Sequence, residues 1–182
     1  YSGVCHSDVH TARGDWGPAA YPCVPGHEII GQVIEIGSAV TKHKVGDNVG
    51  VGVMVNSCGA CNPCQTGYQQ HCTKTKTGTY NSIDPIDQTI TKGGYSTKIV
   101  VQENFVFPIP KNLDLASTAP LLCAGITMYS PLKQHGAGPD KKVGIIGLGG
   151  LGHVGVKIAK ALGAETYVIT TSPEKADIAK SY

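Results

Sequence analysis

Four cysteines crowded into one short segment constrain this chain most. Cys58, Cys61, Cys64 and Cys72 follow one another with two, two and seven residues between them. Four thiolates this close can close a tetrahedron around zinc with no position left for a substrate, so the spacing predicts a structural zinc site. An iron–sulfur cluster is the rival interpretation, but the bacterial ferredoxin run needs a three-residue gap and a proline after its last cysteine, whereas Thr73 follows Cys72. Four reduced cysteines packed by chance are the remaining alternative.

A second candidate metal site needs side chains that lie far apart in sequence. Cys5, His27 and Cys123 can together offer a Cys, His, Cys set, in which zinc keeps one position open for water or substrate. Glu28 adds a carboxylate beside the imidazole. Taken alone, a histidine in the glycine-rich segment Pro25-Gly26-His27-Glu28 is more typical of a structural residue. Because Cys5 and Cys123 can complete the ligand set, we favour a catalytic metal site.

Dense polar chemistry surrounds the first of these cysteines, in Cys5-His6-Ser7-Asp8-Val9-His10. The hydroxyl of Ser7 and the imidazole of His10 could move a proton in relay. Asp8 is a candidate partner for the second ring nitrogen of a metal-bound histidine. The alternative is a short helix in which Asp8 and Ser7 serve only as caps.

Composition narrows the class of partner. The net charge is +2 over 182 residues and no run of five like charges occurs, which argues against binding to nucleic acid or a membrane surface and favours small molecules. The longest apolar stretches are far shorter than a membrane span needs. Seven cysteines, four of them crowded together, are typical of thiolate ligands in a reducing compartment, so we expect a cytoplasmic protein. Without an initiating Met, and ending inside a helical pattern, the chain is expected to be a fragment.

Short β-branched runs separated by turn residues predict an antiparallel, barrel-like, all-β region before Cys123. We expect residues 73–91 to form a surface loop and Asp114 to Ala119 to start a helical segment. The expected strands are Ile29-Ile30, Val33 to Ile36, Val49 to Val53, Thr97 to Val101 and Phe105 to Ile109.

The pattern then changes to that of an α/β protein. An apolar strand from Val143 to Ile146 runs into Gly147-Leu148-Gly149-Gly150-Leu151-Gly152, then a helical pattern and a second strand from Thr166 to Thr170. In this order of elements, GxGxxG predicts a dinucleotide site, with the pyrophosphate at the helix N-terminus. A triphosphatase loop is excluded because His153 and Val154 stand where Lys and Ser or Thr are needed. A tight glycine turn without a ligand is the alternative.

The end of the second strand bears on the choice of cofactor. NAD sites normally carry an acid there for the ribose hydroxyls, whereas this chain has Thr171 and Ser172, followed by Lys175. Hydroxyl groups and an ammonium group favour a 2′-phosphate, which an acid would repel. The sequence therefore predicts NADP(H), and a clear preference of the complete protein for NAD would refute this.

Taken together, Gly26-His27-Glu28-x-x-Gly31, the four-cysteine segment, Cys5 to His10 and the glycine fingerprint resemble the zinc-dependent medium-chain alcohol dehydrogenases, most closely their cinnamyl alcohol dehydrogenase branch. The resemblance implies a GroES-like catalytic domain over residues 1–124 and the first part of a Rossmann domain over residues 125–182, truncated at both ends. It also implies catalytic zinc on Cys5, His27 and Cys123, with Glu28 able to approach the metal, and a proton relay of Ser7 and His10.

The same resemblance implies two zinc ions per chain, NADP(H), and a homodimer for the complete protein. The expected reaction is reversible hydride transfer between a primary alcohol and NADP⁺. A polyol or broad aliphatic alcohol dehydrogenase is one alternative, and a non-catalytic zinc-binding interaction module is another. We expect these 182 residues alone to be inactive, because the family's members are about twice as long.

Overall fold

A computed structural model describes all of residues 1–182, and the chain divides into two compact units, Tyr1–Cys123 and Ala124–Tyr182. The first unit combines two small antiparallel sheets with short helices. Its strands are β1 Ile29–Gln32, β2 Asn48–Val51, β3 Met54–Ser57, β4 Lys76–Gly78 and β5 Val106–Pro108. Its helices are α1 His6–Arg13, α2 Asn62–Gln65 and α3 Leu115–Thr118, with 3-10 turns at Gln69–His71, Glu103–Phe105 and Ala119–Leu122.

The larger sheet has the order β1-β2-β5, and both pairs are antiparallel. Ile29 lies opposite Val51, and these two side chains form a buried cluster with Val55 of β3. The second sheet pairs β3 with β4 and breaks register between Met54 and Asn56. The antiparallel strands expected of this region are present, in small sheets with long irregular connections and short helices between them.

Two of the expected strands are wrong. The segment from Val33 to Ile36 leaves the sheet after Gln32. Val33 still exchanges backbone hydrogen bonds with Asp47 and Gly46, but the pairing ends there, and Ile34 is 58% exposed. Thr97 to Val101 forms no strand either. Its apolar residues Ile99 and Val101 pack against the buried cluster of the first unit, so the alternating pattern there reflects packing rather than strand pairing.

Smaller corrections concern element ends. The region expected as a loop over residues 73–91 contains β4, and the strand expected from Phe105 to Ile109 is limited to Val106–Pro108. The helix expected after Asp114 is confirmed, since the Asp114 carboxylate accepts a hydrogen bond from the Ser117 N–H at 2.8 Å and caps α3.

The second unit is a strand–turn–helix–strand arrangement preceded by a helix. Its elements are α4 Ala124–Gln134, β6 Lys142–Ile146, α5 Gly150–Ala161, β7 Glu165–Ile169, a 3-10 turn at Pro173–Lys175 and α6 Ala176–Lys180. β6 and β7 pair in parallel, with Ile145 opposite Val168. Buried Ile145, Leu148 and Val156 form its core.

None of the helices has by itself the length and hydropathy of a membrane span. The successive helical segments Leu115–Leu122 and Ala124–Gln134 reach that length and composition only when they are counted together.

Candidate metal and cofactor sites

The first unit brings together the four side chains of the expected catalytic metal site. Ligand atoms of Cys5, His27, Glu28 and Cys123 all lie within 4.8 Å of one another. The sulfurs of Cys5 and Cys123 are 4.0 Å apart. Zinc bound by two thiolates at about 2.3 Å in a tetrahedron would separate the sulfurs by about 3.8 Å, so the side chains as they stand fit zinc.

Three different elements deliver these ligands. Cys5 is the N-cap of α1, and His27 and Glu28 directly precede β1. Cys123 follows the 3-10 turn Ala119–Leu122, which packs closely against β2. A Cβ at Gly52, directly after β2, would lie 3.0 Å from the Leu122 carbonyl oxygen, so the absence of a side chain at this position favours the close approach that brings Cys123 to the site.

Asp8 connects two of these ligands. Its Oδ1 lies 3.1 Å from His27 Nδ1 and accepts the Gly26 N–H at 3.1 Å, while its Oδ2 accepts the Cys5 N–H at 3.0 Å. Burial alone raises the pKa of Asp8, but hydrogen bonds from Cys5, Tyr95 and Gly26 outweigh burial and hold that pKa below its ordinary value. Because Nδ1 of His27 faces a carboxylate, Nε2 is the nitrogen left for a metal.

Glu28 is buried beside the same cluster, with 3% of its surface exposed. A Cβ at Gly3 would lie 2.0 Å from Glu28 Oε2, so a side chain at position 3 would displace the carboxylate from its present place. Burial, followed by the negative charge of Asp8, raises the pKa of Glu28. A carboxylate in this environment lacks compensating charge, which a bound cation would supply.

The two residues expected to relay a proton lie on α1. Ser7 Oγ is 3.5 Å from Cys5 Sγ. His10 is one turn further along the helix, and its Nδ1 lies 2.9 Å from Asp15 Oδ2. The His10 ring stacks on Trp16 with centroids 4.8 Å apart. Sequence reasoning missed Asp15, although its position just beyond the end of α1 could have indicated the pair.

The four-cysteine segment folds into a compact cluster. All four ligand sulfurs lie within 4.8 Å of one another, and three sulfur pairs are separated by 3.4 to 3.8 Å, close to the 3.8 Å edge expected of a tetrahedral zinc–thiolate site. Backbone N–H groups also point at sulfur, for example from Thr75 to Cys72 at 3.4 Å. Such donors favour the thiolate, and hydrogen bonds led by the N–H of Thr73 lower the pKa of Cys61 to about 5. These side chains fit a structural zinc.

The glycine turn of the second unit connects β6 to α5. Gly147 adopts a left-handed backbone with φ of +84°, and Gly149 is the N-cap of α5. A Cβ at Gly152 would lie 2.0 Å from the Gly147 carbonyl oxygen, so the helix can approach the turn this closely only with glycine there. Leu151 lies in the first turn of α5 and is partly exposed. The unpaired N–H groups of this 12-residue helix therefore face the turn, which suits a phosphate.

The residues expected to select the cofactor follow β7. Thr171 is exposed, Ser172 is half-buried, and Lys175 donates from Nζ to the Leu148 carbonyl at 3.2 Å. That contact ties the end of the second strand to the glycine turn. A cavity of about 270 Å³ is lined there by Leu148, Gly149, His153, Lys175, Ile178 and Tyr182. Sequence reasoning did not assign His153 or Tyr182 to the cofactor site, and no motif marks either of them.

The first unit thus holds two clusters of side chains that could ligate a metal, and a glycine-rich βαβ unit follows in the same chain. The family model described as the alcohol dehydrogenase GroES-like domain matches residues 1–111, more than half of the chain. The chain therefore belongs to the alcohol dehydrogenase GroES-like family. This confirms the resemblance and the fold class expected from the sequence.

Individual relatives agree with this assignment. The chain is 59% identical over 176 residues to NADP-dependent alcohol dehydrogenase C 1 of Mycolicibacterium smegmatis, covering 96% of this chain and 50% of the relative. It is 53% identical over 178 residues to cinnamyl alcohol dehydrogenase 8 of Arabidopsis thaliana, covering 97% and 49%. The crystal structure of CAD from Helicobacter pylori complexed with NADP(H) superimposes with a TM-score of 0.94 at 49% identity, covering 99% of this chain and 52% of that one. The chain thus spans about half the length of the curated relatives it matches.

Proposed function

We propose that the complete protein is a zinc-dependent, NADP(H)-linked alcohol dehydrogenase of the cinnamyl alcohol dehydrogenase type. It interconverts primary alcohols and aldehydes by hydride transfer. The observation that carries the proposal is the convergence of Cys5, His27 and Cys123, which lie far apart in the sequence, on one point beside Glu28. The names of the relatives support the class of substrate and the cofactor.

Cys5, His27 and Cys123 would hold the catalytic zinc, with Glu28 as a nearby carboxylate able to approach the metal. Zinc bound there would act as a Lewis acid that lowers the pKa of an alcohol and polarises an aldehyde carbonyl. Three thiolate or imidazole ligands leave a position open, which distinguishes this set from the closed four-cysteine set of Cys58, Cys61, Cys64 and Cys72. The second set is proposed to hold a structural zinc.

The surrounding side chains orient groups and move a proton. Asp8 fixes the ring of His27 through Nδ1. Ser7, whose hydroxyl lies beside Cys5, takes the proton of the alcohol, and His10 passes it to solvent, since its ring is one helical turn away and partly exposed. In the reverse direction the same two side chains return a proton.

The cofactor is proposed to bind at the glycine turn of the second unit. Gly147, Gly149, Gly150, Leu151 and Gly152 would meet the pyrophosphate at the start of α5. Thr171, Ser172 and Lys175 would meet the 2′-phosphate of NADP(H). The nicotinamide ring of the same cofactor would supply or accept the hydride. The contact of Lys175 with the Leu148 carbonyl supports this placement, because it puts the ammonium group next to the turn.

The metal assignment can be tested in the complete enzyme. Cys5→Ala and His27→Ala should each abolish turnover and remove one zinc per chain, leaving the four-cysteine zinc in place. Cys23→Ala is a matched control, because Cys23 is a free thiol outside both sets. Wild-type turnover in either ligand variant would refute the assignment, and a single zinc in the wild-type protein would favour the non-catalytic zinc module.

The cofactor assignment has its own test. The complete enzyme should turn over an aldehyde panel with a higher kcat/KM with NADPH than with NADH, and Lys175→Ala should narrow that difference by weakening NADPH alone. A wild-type preference for NADH would overturn the cofactor assignment.

We also propose that the protein works in a reducing compartment such as the cytosol, which the seven free cysteines support.

A further inference from the structure

The segment Gly93-Gly94-Tyr95 lies against the segment that leads into His27. Backbone hydrogen bonds join the two segments, from Gly93 to Val24 at 2.7 Å, from Gly94 to Gly26 at 2.8 Å and from Tyr95 to Pro25 at 3.0 Å. A Cβ at Gly93 would lie 2.3 Å from the Gly26 carbonyl oxygen, so the two backbones touch. The position of Tyr95 is therefore fixed relative to the expected metal ligand His27.

The Tyr95 hydroxyl reaches the carboxylate behind that ligand. It lies 2.9 Å from Asp8 Oδ2 and 3.0 Å from the Gly3 carbonyl oxygen. A hydroxyl has one proton to donate, and an ionised carboxylate is a stronger acceptor than a neutral carbonyl. Burial and the negative charge of Asp8 raise the pKa of Tyr95, so the hydroxyl keeps its proton and acts as a donor.

With this bond, each oxygen of the Asp8 carboxylate has two hydrogen-bond partners. A carboxylate has about four lone-pair directions. Oδ1 faces Gly26 and His27, and Oδ2 faces Cys5 and Tyr95. Asp8 is only 3% exposed, so water has little access to replace a lost donor. Removing the Tyr95 hydroxyl would take one of the two hydrogen bonds from Oδ2 and loosen the carboxylate, which the Cys5, Gly26 and His27 groups would still hold.

We propose that Tyr95 is a positioning residue for the metal site, which locks the Asp8 carboxylate and through it the ring orientation of His27. The proposal rests on the proposed function, because it assumes that His27 binds zinc. A merely structural Tyr95, donating to the Gly3 carbonyl, would stabilise the fold without changing the metal site. The two roles are distinguished by the zinc affinity and activity of the metal site, and not by the stability of the protein.

The test is Tyr95→Phe in the complete enzyme, which keeps the ring and removes only the hydroxyl. Loss of the catalytic zinc to a chelator should accelerate about three- to tenfold, less than the roughly 10- to 100-fold expected when Asp8→Asn removes the direct partner of a ligand histidine. The visible bands of enzyme carrying cobalt at this site should shift, and kcat should fall more than KM rises. Cys5→Ala is expected to keep only the zinc of the four-cysteine site, so zinc release from that site is measured separately in this variant.

Tyr21→Phe is the matched control. The Tyr21 hydroxyl donates to the Ala12 carbonyl at 2.9 Å, also against α1, but it is exposed and contacts no ligand partner. This variant should show wild-type zinc release and a wild-type cobalt spectrum. A double variant, Tyr95→Phe with Asp8→Asn, adds a second check, since little further loss beyond Asp8→Asn is expected if Tyr95 acts through Asp8.

Wild-type zinc release and cobalt bands in Tyr95→Phe would overturn the proposal, whatever the melting temperature. Fully additive losses in the double variant would also overturn it. A wild-type enzyme without zinc on Cys5 and His27 would refute the proposed function and this inference together. Failure of the inference alone is distinguishable, because the wild type then carries two zinc ions and is active.

Discussion

Three glycines of α5 allow a graded test of the glycine turn, because the Cβ that an alanine would add meets a different neighbour at each of the three positions. A Cβ at Gly150 meets nothing within 4 Å, one at Gly155 would lie 2.3 Å from the Met128 methyl carbon, and one at Gly152 would lie 2.0 Å from the Gly147 carbonyl oxygen. A methyl group at the end of a flexible side chain can move aside. A main-chain carbonyl held in a tight turn cannot.

The magnitudes follow from that difference. Each alanine gains up to about 1 kcal/mol of helix propensity. Gly150→Ala should therefore be neutral to stabilising, and Gly155→Ala near neutral. In Gly152→Ala the Gly147 carbonyl must move by roughly 1 Å or more to restore van der Waals contact. Overpacking of this kind costs about 1 to 3 kcal/mol, so Gly152→Ala should be destabilised by up to about 2 kcal/mol.

The assay is thermal unfolding of the complete enzyme, combined with NADPH titration by fluorescence. Gly152→Ala should melt below the other two variants and bind NADPH at least about tenfold more weakly, because the loss of one hydrogen bond to a charged group corresponds to about 1.5 kcal/mol or more. If Gly152→Ala melted and bound NADPH like the wild type, the close approach of helix and turn could not be the reason for glycine at this position.

Three further predictions concern the first unit. Ile30 is 1% exposed, so Ile30→Ala should cost about 2 to 5 kcal/mol of unfolding free energy and Ile30→Val only about 0.5 to 1.5 kcal/mol. If denaturant titrations gave the two variants the same loss of unfolding free energy, the burial argument would be contradicted. Cys64→Ser should reduce the zinc content from two ions to one per chain and lower the melting temperature, and retention of both ions by elemental analysis would count against the closed site. The N–H groups of Lys42 and Thr41 hold the pKa of Glu103 below its ordinary value, so the stability that this carboxylate contributes is present above about pH 4.5 and is lost as the pH falls through the lowered pKa. Glu103→Gln should make acid unfolding less steep, and an unchanged pH profile would refute this.

Much of the site could be predicted from the sequence where the signal is local. The four thiols lie close together along the chain, so their spacing alone limits the ways they can meet, and the structure gathers them. The same holds for Gly147 and Gly152, whose positions between an apolar strand and a helical pattern indicate the turn. Asp8 was also predicted as a partner of the metal-bound histidine, and the structure puts its carboxylate at His27 Nδ1.

The strand predictions failed where alternation had another cause. Val33 to Ile36 has the β-branched content of a strand, but these residues lack the continuous backbone partners that a strand requires within this chain. Ile99 and Val101 are apolar because they cover the buried cluster of the first unit. Alternating hydrophobicity reports burial on one side, and it does not show which backbone, if any, pairs with the segment.

By itself, then, the sequence determined the elements whose partners are near neighbours: the four-cysteine cluster, the glycine turn at the start of α5 and the cap of α3 by Asp114. Cys5 and Cys123 could be named together from the sequence only as a possible ligand set and by the family resemblance, whereas the tertiary structure shows that they meet and also puts the Tyr95 hydroxyl, which no pattern indicated, on Asp8. The physical reason is that a short segment has few conformations, and residue spacing limits them directly. A contact across about ninety or more residues depends on the packing of every element between, including the glycines at positions 52 and 93 that let backbones touch.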